Sequence, residues 1–352
     1  MRFKAGIQNI STFTKLTASL VSLGHVAWVR LNNTEVRFTI IPEQGTQVWA
    51  VLSIDSIFET YTIQSAVPNN TINLEVPLQP LHRALRSALQ ATSASIRLTK
   101  KDNIPLLILT IVTNPSSGIP HSTAFNGGNR DNEFDAEGRE QSLDFSTSRE
   151  REIIIDQEVP IRVLSAASVE GIHEPHCREP DVHILLPSLL QLKSISDRFT
   201  KLALVTKTAP TSGVMGGSTT LGPRLEMSAN MHGCLRLSIK TDAMNISSVW
   251  TGLTNPELDP AVVAGGEDGI RDHPSTRMKA LGTADGGSEA GWATVRIDGK
   301  DWGRVLSVGR LGGRVIACFC HEHALILYVY LSNDEEGGDE SVLTYYVSSY
   351  SS

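Results

Sequence analysis

The chain has 352 residues, of which 40% are hydrophobic, and its formal net charge is −7 at pH 7. The length favours two or three domains, and the hydrophobic content excludes a chain that is disordered throughout. Four cysteines exclude a disulfide scaffold and suit a reducing compartment. The acidic balance speaks against an overtly basic nucleic-acid-binding protein. Neither a membrane span, which needs about 18 apolar residues, nor a secretory signal is expected.

The acidic residues are concentrated in a few segments. Residues 115–150 and 253–290 each contain seven acidic and three basic residues, and residues 333–340 contain five acidic residues and no basic one. These segments are rich in Gly, Ser, Asn and Pro and have no apolar period, which is typical of long surface loops or disorder. The remainder of the chain is therefore mildly basic.

In chain order, the first half begins with an extended piece at Arg2–Ile7. A helix is predicted over Thr12–Leu23, because its apolar residues recur at helical spacing, with Ser11 or Thr12 as its cap. A second helix is predicted over Leu78–Gln90, with Leu81 and Leu85 on one face. Strand-like runs occupy residues 25–31, 35–41, 47–54, 71–78, 94–100 and 106–113.

The second half repeats this order of elements. A strand at 181–186 precedes a helix predicted over Pro187–Phe199, and a further short helix is predicted at about Lys300–Arg310. Strands are predicted at 201–207, 224–230, 234–240, 245–250, 293–298, 314–320, 324–331 and 342–347. The duplicated order predicts an α+β fold with two structurally repeated domains. These are residues 1–113 and 181–352, joined by a connector at 114–180 that contains the first acidic segment and the apolar run 159–165.

No catalytic motif is found in the sequence. The phosphate-binding loop G-x-x-x-x-G-K-[ST], the dinucleotide motif G-x-G-x-x-G after a strand and the nucleophile elbow G-x-S-x-G are all absent. In His173–Cys177 the two histidines are three apart with a proline between them, which favours a loop over a zinc site. In Cys318–His323 a strand would turn the cysteines and the histidines to opposite faces, which favours two buried cysteines.

The predicted helices carry basic residues on their exposed sides and little acid. They are Lys15 on the first, Arg83 and Arg86 on the second, Lys193 and Arg198 on the third, and Lys300 and Arg304 on the fourth, with Arg310 at its end. Taken singly, each helix has the composition of an ordinary solvated face. Taken together, in a repeated architecture, they predict one shared basic surface that could bind DNA phosphates without reading sequence.

This arrangement resembles the PCNA-like sliding clamps, in which sheets form the outside of a ring and basic helices line its inside. More specifically, the chain resembles the Hus subunits of the DNA-damage checkpoint clamp. The most specific segment is the Pro-Asp-Val run that leads into the third helix. The segments that carry the resemblance are Met1–Ala5, Val48–Ala50, Leu81–Ala88, Val159–Val163, Glu179–Pro187 and Gly252–Pro256.

The resemblance implies a non-catalytic subunit of a heterotrimeric ring in the nucleus, without a metal or cofactor. Its partners would be two Rad-family clamp subunits, a checkpoint clamp loader, double-stranded DNA and repair enzymes, and edge strands would pair between subunits. The DNA-facing residues would be Lys15, Arg83, Arg86, Lys193, Arg198, Lys300 and Arg304.

Two other interpretations remain open at this point. One is a PCNA-like processivity clamp, which would form a homotrimer through a head-to-tail interface. The other is an enzyme of unfamiliar class that uses the His173–Cys177 or the Cys318–His323 cluster.

Overall fold

A computed structural model describes residues 1–43, 45–114, 152–207, 224–241, 244–261, 263–283, 286–331 and 341–350. The predicted acidic loops at 115–150 and 333–340 lie outside these residues. No helix in the described ranges is both long enough and apolar enough to cross a membrane.

The N-terminal half contains two main helices and a set of antiparallel strands. The first helix begins at Ile10, earlier than predicted, because Asn9 Oδ1 accepts a hydrogen bond from the Thr12 amide at 3.0 Å. The elements are β1 Arg2–Ile7, α1 Ile10–Val21, β2 Val26–Leu31, β3 Glu35–Ile40, β4 Gln47–Ser53, β5 Phe58–Gln64, β6 Ile72–Pro77, α2 Leu78–Ser87, β7 Ser93–Lys101, β8 Ile104–Thr113, β9 Ile153–Pro160 and β10 Arg162–Leu164.

The C-terminal half follows a short helix in the connector, α3 Ala166–Val169. Its elements are β11 Val182–Leu185, α4 Leu189–Lys207, β12 Arg224–Asn230, β13 Leu235–Thr241, β14 Met244–Trp250, α5 Gly266–Asp272, α6 Pro274–Leu281, β15 Trp292–Asp298, α7 Gly299–Val305, a 3-10 helix at Leu306–Leu311, β16 Arg314–Cys320, β17 Ala324–Tyr330 and β18 Val342–Ser348.

The described strands form three antiparallel sheets. One sheet of five strands has the order β5-β1-β7-β8-β9, and one of four strands has the order β14-β13-β12-β15. The third has nine strands in the order β10-β6-β2-β3-β4-β18-β17-β16-β11. Its centre is the pairing of β4 with β18, which runs from Gln47 opposite Tyr346 to Val51 opposite Val342. This sheet is therefore continuous across the two halves of the chain.

The helices pack beside one another and against the sheets. We call α1, α2, α4, α7 and the 3-10 helix Leu306–Leu311 the helical layer. Within it α1 contacts α2 and the 3-10 helix, and α4 contacts α7 and the 3-10 helix. Leu16, Leu20, Leu81 and Leu85 are buried between this layer and the sheets. Each such side chain contributes about 1.5–3 kcal/mol when it leaves water, so burial alone fixes which side of each helix faces outward.

The helix α4 corrects one prediction. Residues 201–207 were predicted as a strand, but they continue the helix that begins at Leu189. Phe199 and Ala203 are buried and continue the four-residue spacing from Ile195, so the apolar stripe extends past the predicted end. The short apolar run 202–205 is also typical of a buried strand, and the packing of Ala203 against the core favours the helix.

The segment 253–290 corrects a second prediction, because it was expected to be disordered. The structure places α5 and α6 within it. His273 is 5% exposed and its side chain accepts a hydrogen bond from the Ser275 amide, which caps α6. Pro274 stands in the first turn of α6, where no amide donor is needed, and Met278 packs against the core. A few buried anchors thus order a segment whose composition resembles a loop.

Residues 153–164, which the sequence analysis placed in the connector, also form regular structure. The strand β9 pairs with β8, and β10 pairs with β6. Both partners belong to the N-terminal half. The part of the connector that lies between the two halves and belongs to no sheet is therefore 165–180.

Candidate nucleic-acid interface

The helix α2 presents two arginines to solvent because its other side is fixed by packing. Leu81, Ala84 and Leu85 are buried, and this leaves Arg83 and Arg86 exposed on the opposite side. Among the described residues, no carboxylate lies within ion-pair distance of either guanidinium. Both charges are thus available to an external anion.

The neighbouring helix α1 contributes a single base. Lys15 is exposed, whereas the flanking Thr14 and Leu16 are buried. The only basic residue of α1 therefore points away from the core, and its place in a DNA-binding surface stays a prediction.

The two bases predicted on α4 have different surroundings. Arg198 is exposed. Lys193 is only partly exposed, and its Nζ lies 3.2 Å from Asp197 Oδ2 and donates to the Gly303 carbonyl at 3.1 Å. Lys193 thus ties α4 to α7, and its ammonium group is paired with the Asp197 carboxylate.

The helix α7 exposes Lys300 and Arg304 and is held in place by two aspartates. Asp298 Oδ1 caps the helix by accepting from the Lys300 and Asp301 amides at 2.9 and 3.0 Å. Asp301 turns inward and accepts from the Thr46 hydroxyl at 2.7 Å. Burial raises the pKa of Asp301, and the bond from Thr46 and the charge of Arg304 oppose this rise.

The two halves meet directly in the helical layer. The Ser22 and Ser307 hydroxyls lie 2.9 Å apart, and Ser22 Oγ also donates to the Arg304 carbonyl at 3.3 Å. Six of the seven predicted DNA-facing residues are exposed on this layer, and the seventh, Lys193, is paired. Sequence reasoning did not count Arg310 among the DNA-facing residues, although the 3-10 helix exposes it on the same layer.

Cys177, at the end of the first metal-like cluster, packs against Cys318 and Cys320 of the second, whereas the histidines of both clusters are exposed. His173 and His176 are exposed in a stretch without helix or strand. Cys318 and Cys320 are buried at the end of β16, and His321 and His323 lie in the turn that follows rather than in a strand. Within the described ranges, no group of three or more His, Cys, Asp or Glu residues is placed to hold a metal ion.

Comparison with known families adds a decisive observation, since the model of the Hus1-like protein family matches residues 1–351. The chain belongs to the Hus1-like family. Checkpoint protein hus1 of Schizosaccharomyces pombe is 38% identical over 351 residues, which cover 99% of both chains. The checkpoint protein hus1 homolog of Dictyostelium discoideum is 23% identical over 351 residues, covering 99% of this chain and 98% of the relative. Checkpoint protein HUS1 of Homo sapiens is 23% identical over 265 residues, covering 73% of this chain and 76% of the relative.

Solved structures confirm the predicted α+β clamp fold for this Hus1-like chain. Proliferating cellular nuclear antigen from Entamoeba histolytica superposes with a TM-score of 0.57 at 12% identity, covering 99% of this chain and 98% of that one. PCNA from Thermococcus kodakaraensis superposes with a TM-score of 0.58 at 12% identity, covering 99% of this chain and 100% of that one. At this identity the likeness concerns the fold alone.

Proposed function

We propose that the chain is a non-catalytic subunit of a heterotrimeric checkpoint sliding clamp that is loaded on DNA at damage sites. There it supports checkpoint signalling and recruits repair enzymes. Membership of the Hus1-like family, relatives named checkpoint proteins and the clamp fold all support this function. The proposed partners are two Rad-family clamp subunits and a checkpoint clamp loader, and the proposed compartment is the nucleus.

The observation that carries the DNA-binding part of the proposal is the charge of the helical layer. Bases from both halves are exposed on one layer, and the described carboxylates leave Lys15, Arg83, Arg86, Arg198, Lys300 and Arg304 unpaired. Unpaired cations on one row of helices attract a polyanion without regard to its sequence. The overall negative charge of the chain does not oppose this, because field strength at a surface depends on nearby charges.

Two sheet edges are suited to assembly of the ring. The strand β9 is an edge of the five-stranded sheet, and its residues Ile153, Ile154 and Ile155 are 49%, 65% and 44% exposed. The strand β14 is an edge of the four-stranded sheet in the other half, and Val249 on it is 53% exposed. Apolar edges with free backbone groups are costly unless another strand covers them. We infer that β9 and β14 each pair with a neighbouring subunit.

In this proposal the N-terminal clamp domain comprises 1–113 together with 153–164, and the C-terminal clamp domain begins at residue 181. The connector between them lies against the nine-stranded sheet, with Val169 beside the cavity that Trp49 lines and Cys177 packed against Cys318. A PCNA-like homotrimer is the alternative, and the two differ in whether the chain assembles without partner subunits.

A charge reversal of Arg83 and Arg86 to Glu tests the proposed DNA contact. In the assembled ring, the double variant should lower retention on duplex DNA at least tenfold at low salt and flatten the salt dependence. Reversal of Arg2 and Lys4, which are exposed on the sheet strand β1, is the matched control with the same change in net charge. Equal retention of both variants across a salt series would overturn the proposed role of the helical layer.

A further inference from the structure

A small cavity lies on the face of the nine-stranded sheet that points away from the helical layer. Phe38 of β3 packs against Phe13 of α1, with the ring centroids 6.1 Å apart. Because side chains alternate along a strand, Arg37 and Thr39 of β3 lie on the opposite face. The cavity on that face has the connector as one wall. Its lining includes Trp28, Arg30, Arg37 and Trp49 of the sheet and Val169 and Ile172 of the connector.

The strand register places two arginines of this cavity directly opposite each other. Arg30 of β2 is paired with Arg37 of β3, and residues paired in this way have their Cβ atoms about 4.5–5.5 Å apart. Like charges in this position destabilise a sheet unless an anion compensates them. Glu35 Oε1 lies 3.1 Å from Arg37 Nη2. Arg30 is exposed, and in the part of the chain that the structure describes no carboxylate lies within ion-pair distance of it.

Two buried N–H donors of the residues that line the cavity have no acceptor. Trp49 is 3% exposed, and neither its Nε1 nor Nε of Arg37 has a hydrogen-bond partner among the residues described. Trp49 is paired with Thr39, two residues along β3 from Arg37, so Trp49 and Arg37 are diagonal neighbours on one face. A buried donor without an acceptor costs free energy, which an acceptor entering the cavity would recover.

The charges around the cavity fit a carboxylate better than a phosphate. Glu35 balances one of the two charges of Arg30 and Arg37. The neighbouring pair of Arg162 and Glu75, with its charged atoms 2.9 Å apart, adds no net charge. A single carboxylate balances the one positive charge that remains, whereas a phosphate monoester carries nearly two negative charges at pH 7.

Apolar groups lie beside these donors. Trp28 and Trp49 are both paired with Thr39, from the two neighbouring strands. Trp28 is only half-buried, as are Val169 and Ile172 of the connector wall. A carboxylate alone would leave these side chains uncovered, whereas an acidic residue next to an aliphatic one in a peptide supplies both kinds of group.

We propose that this cavity binds the acidic side chain of a glutamate or aspartate from a partner protein, with an adjacent aliphatic residue packed between Trp28 and Ile172. The carboxylate accepts hydrogen bonds from the Arg30 guanidinium, Arg37 Nε and Trp49 Nε1. Because the cavity and the helical layer lie on opposite faces of the sheet, such a partner binds without competing for the helical layer. The proposal therefore does not depend on DNA binding.

The test is an NMR titration of the full chain, labelled with 15N-tryptophan, with a peptide that has one glutamate between two leucines. The matched control peptide has glutamine in place of the glutamate. The indole signal of Trp49 is assigned from its loss in Trp49→Phe, whose remaining indole signals show whether that variant is folded. This signal should shift when the glutamate peptide binds, and the glutamate peptide should bind about tenfold more tightly than the glutamine peptide.

Two variants of equal charge change separate the cavity from the overall charge. In Arg30→Gln, the preference for the glutamate peptide should fall to about twofold or less. Arg2→Gln changes an exposed residue of β1 in another sheet and should keep the preference. Trp49→Phe should weaken binding of the glutamate peptide, because it removes one donor and keeps an aromatic ring.

Four results would overturn the inference. Equal affinity for the two peptides, or no binding of either at millimolar concentration, would show that the cavity does not select a carboxylate. Equal losses in Arg30→Gln and Arg2→Gln would assign the preference to the overall charge. Tighter binding of a phosphoserine peptide with the same flanking leucines would contradict the charge balance. Competition by free butyrate at the concentration at which the peptide binds would make the ligand a free carboxylic acid.

Discussion

The Thr46 hydroxyl lies 2.7 Å from Asp301 Oδ2 and joins a loop of the N-terminal half to the first turn of α7. Thr46 is 1% exposed, so the bond is shielded from water. A second polar contact, between Ser22 at the end of α1 and Ser307 of the 3-10 helix, joins the same two halves. The continuity of the helical layer thus depends on polar contacts as well as on the core.

Thr46→Val keeps the shape of this side chain but leaves the inward-facing Asp301 without its hydroxyl partner. We expect a loss of about 1–3 kcal/mol in the free energy of unfolding at pH 7.5. The pKa of Asp301 is raised in the folded state, so the free energy of unfolding falls as the pH rises above the ordinary pKa of 3.8. Loss of the Thr46 hydroxyl makes the ionised carboxylate still less favourable in the folded state. The loss measured by urea unfolding should therefore be larger at pH 7.5 than at pH 4.

Thr110→Val is the matched control for this prediction. The Thr110 hydroxyl donates to Asp156 Oδ1 at 2.6 Å, but this pair is exposed. Its removal should change the free energy of unfolding by less than about 0.5 kcal/mol. Equal losses in the two variants would contradict the claim that burial makes the bond between Thr46 and Asp301 important.

The segment 253–283 should loosen from β11 at acidic pH. His183 is 5% exposed, its Nε2 donates to the Pro256 carbonyl at 2.7 Å, and its Nδ1 has no partner among the described residues. Burial lowers the pKa of His183, a backbone hydrogen bond to Pro256 opposes this, and His273 lowers it further. The unfolded chain then binds more protons than the folded one, so stability falls as pH drops below about 6.5 and levels off below the folded-state pKa.

His183→Gln tests this pH dependence, because its amide can still donate to Pro256 but cannot titrate. Hydrogen exchange of the α5 and α6 amides should accelerate between pH 7 and pH 5.5 in the wild type, after correction for the intrinsic rate. The variant should show a smaller change. The same acceleration in both proteins would assign the effect to another group.

The apolar edge of β9 should be needed for assembly but not for folding. Ile154→Lys places a charge on a residue that is 65% exposed, so the free energy of unfolding should change by less than about 0.5 kcal/mol. Binding to the neighbouring subunit should weaken at least tenfold, because an interfacial edge would have to bury the ammonium group. Ile104→Lys, at a residue of β8 that is 54% exposed, is the control and should assemble normally.

Much of the fold could be predicted from local patterns. The helix α2 starts at Leu78, where it was predicted, because Leu81 and Leu85 define a stripe that no strand could bury. The extension of α4 and the helices within 253–290 could not be predicted in this way, since they depend on contacts of Ala203 and His273 with distant elements. Composition indicates a loop where only tertiary packing can specify a helix.

The candidate site was predictable to a similar degree. Helical spacing alone predicts the exposure of Arg83 and Arg86, because the buried leucines of α2 place both arginines on the opposite face of the helix. It could not predict the pairing of Lys193 with Asp197 and the Gly303 carbonyl, which requires α7 to lie beside α4.

The assembly state tests the central claim most directly. It is measured by size-exclusion chromatography with light scattering, on the chain alone and with the two candidate clamp subunits. A monomer that joins a complex containing one copy of each subunit is the result that the checkpoint-clamp account predicts. A stable homotrimer of the chain without partners would contradict it and favour the processivity clamp.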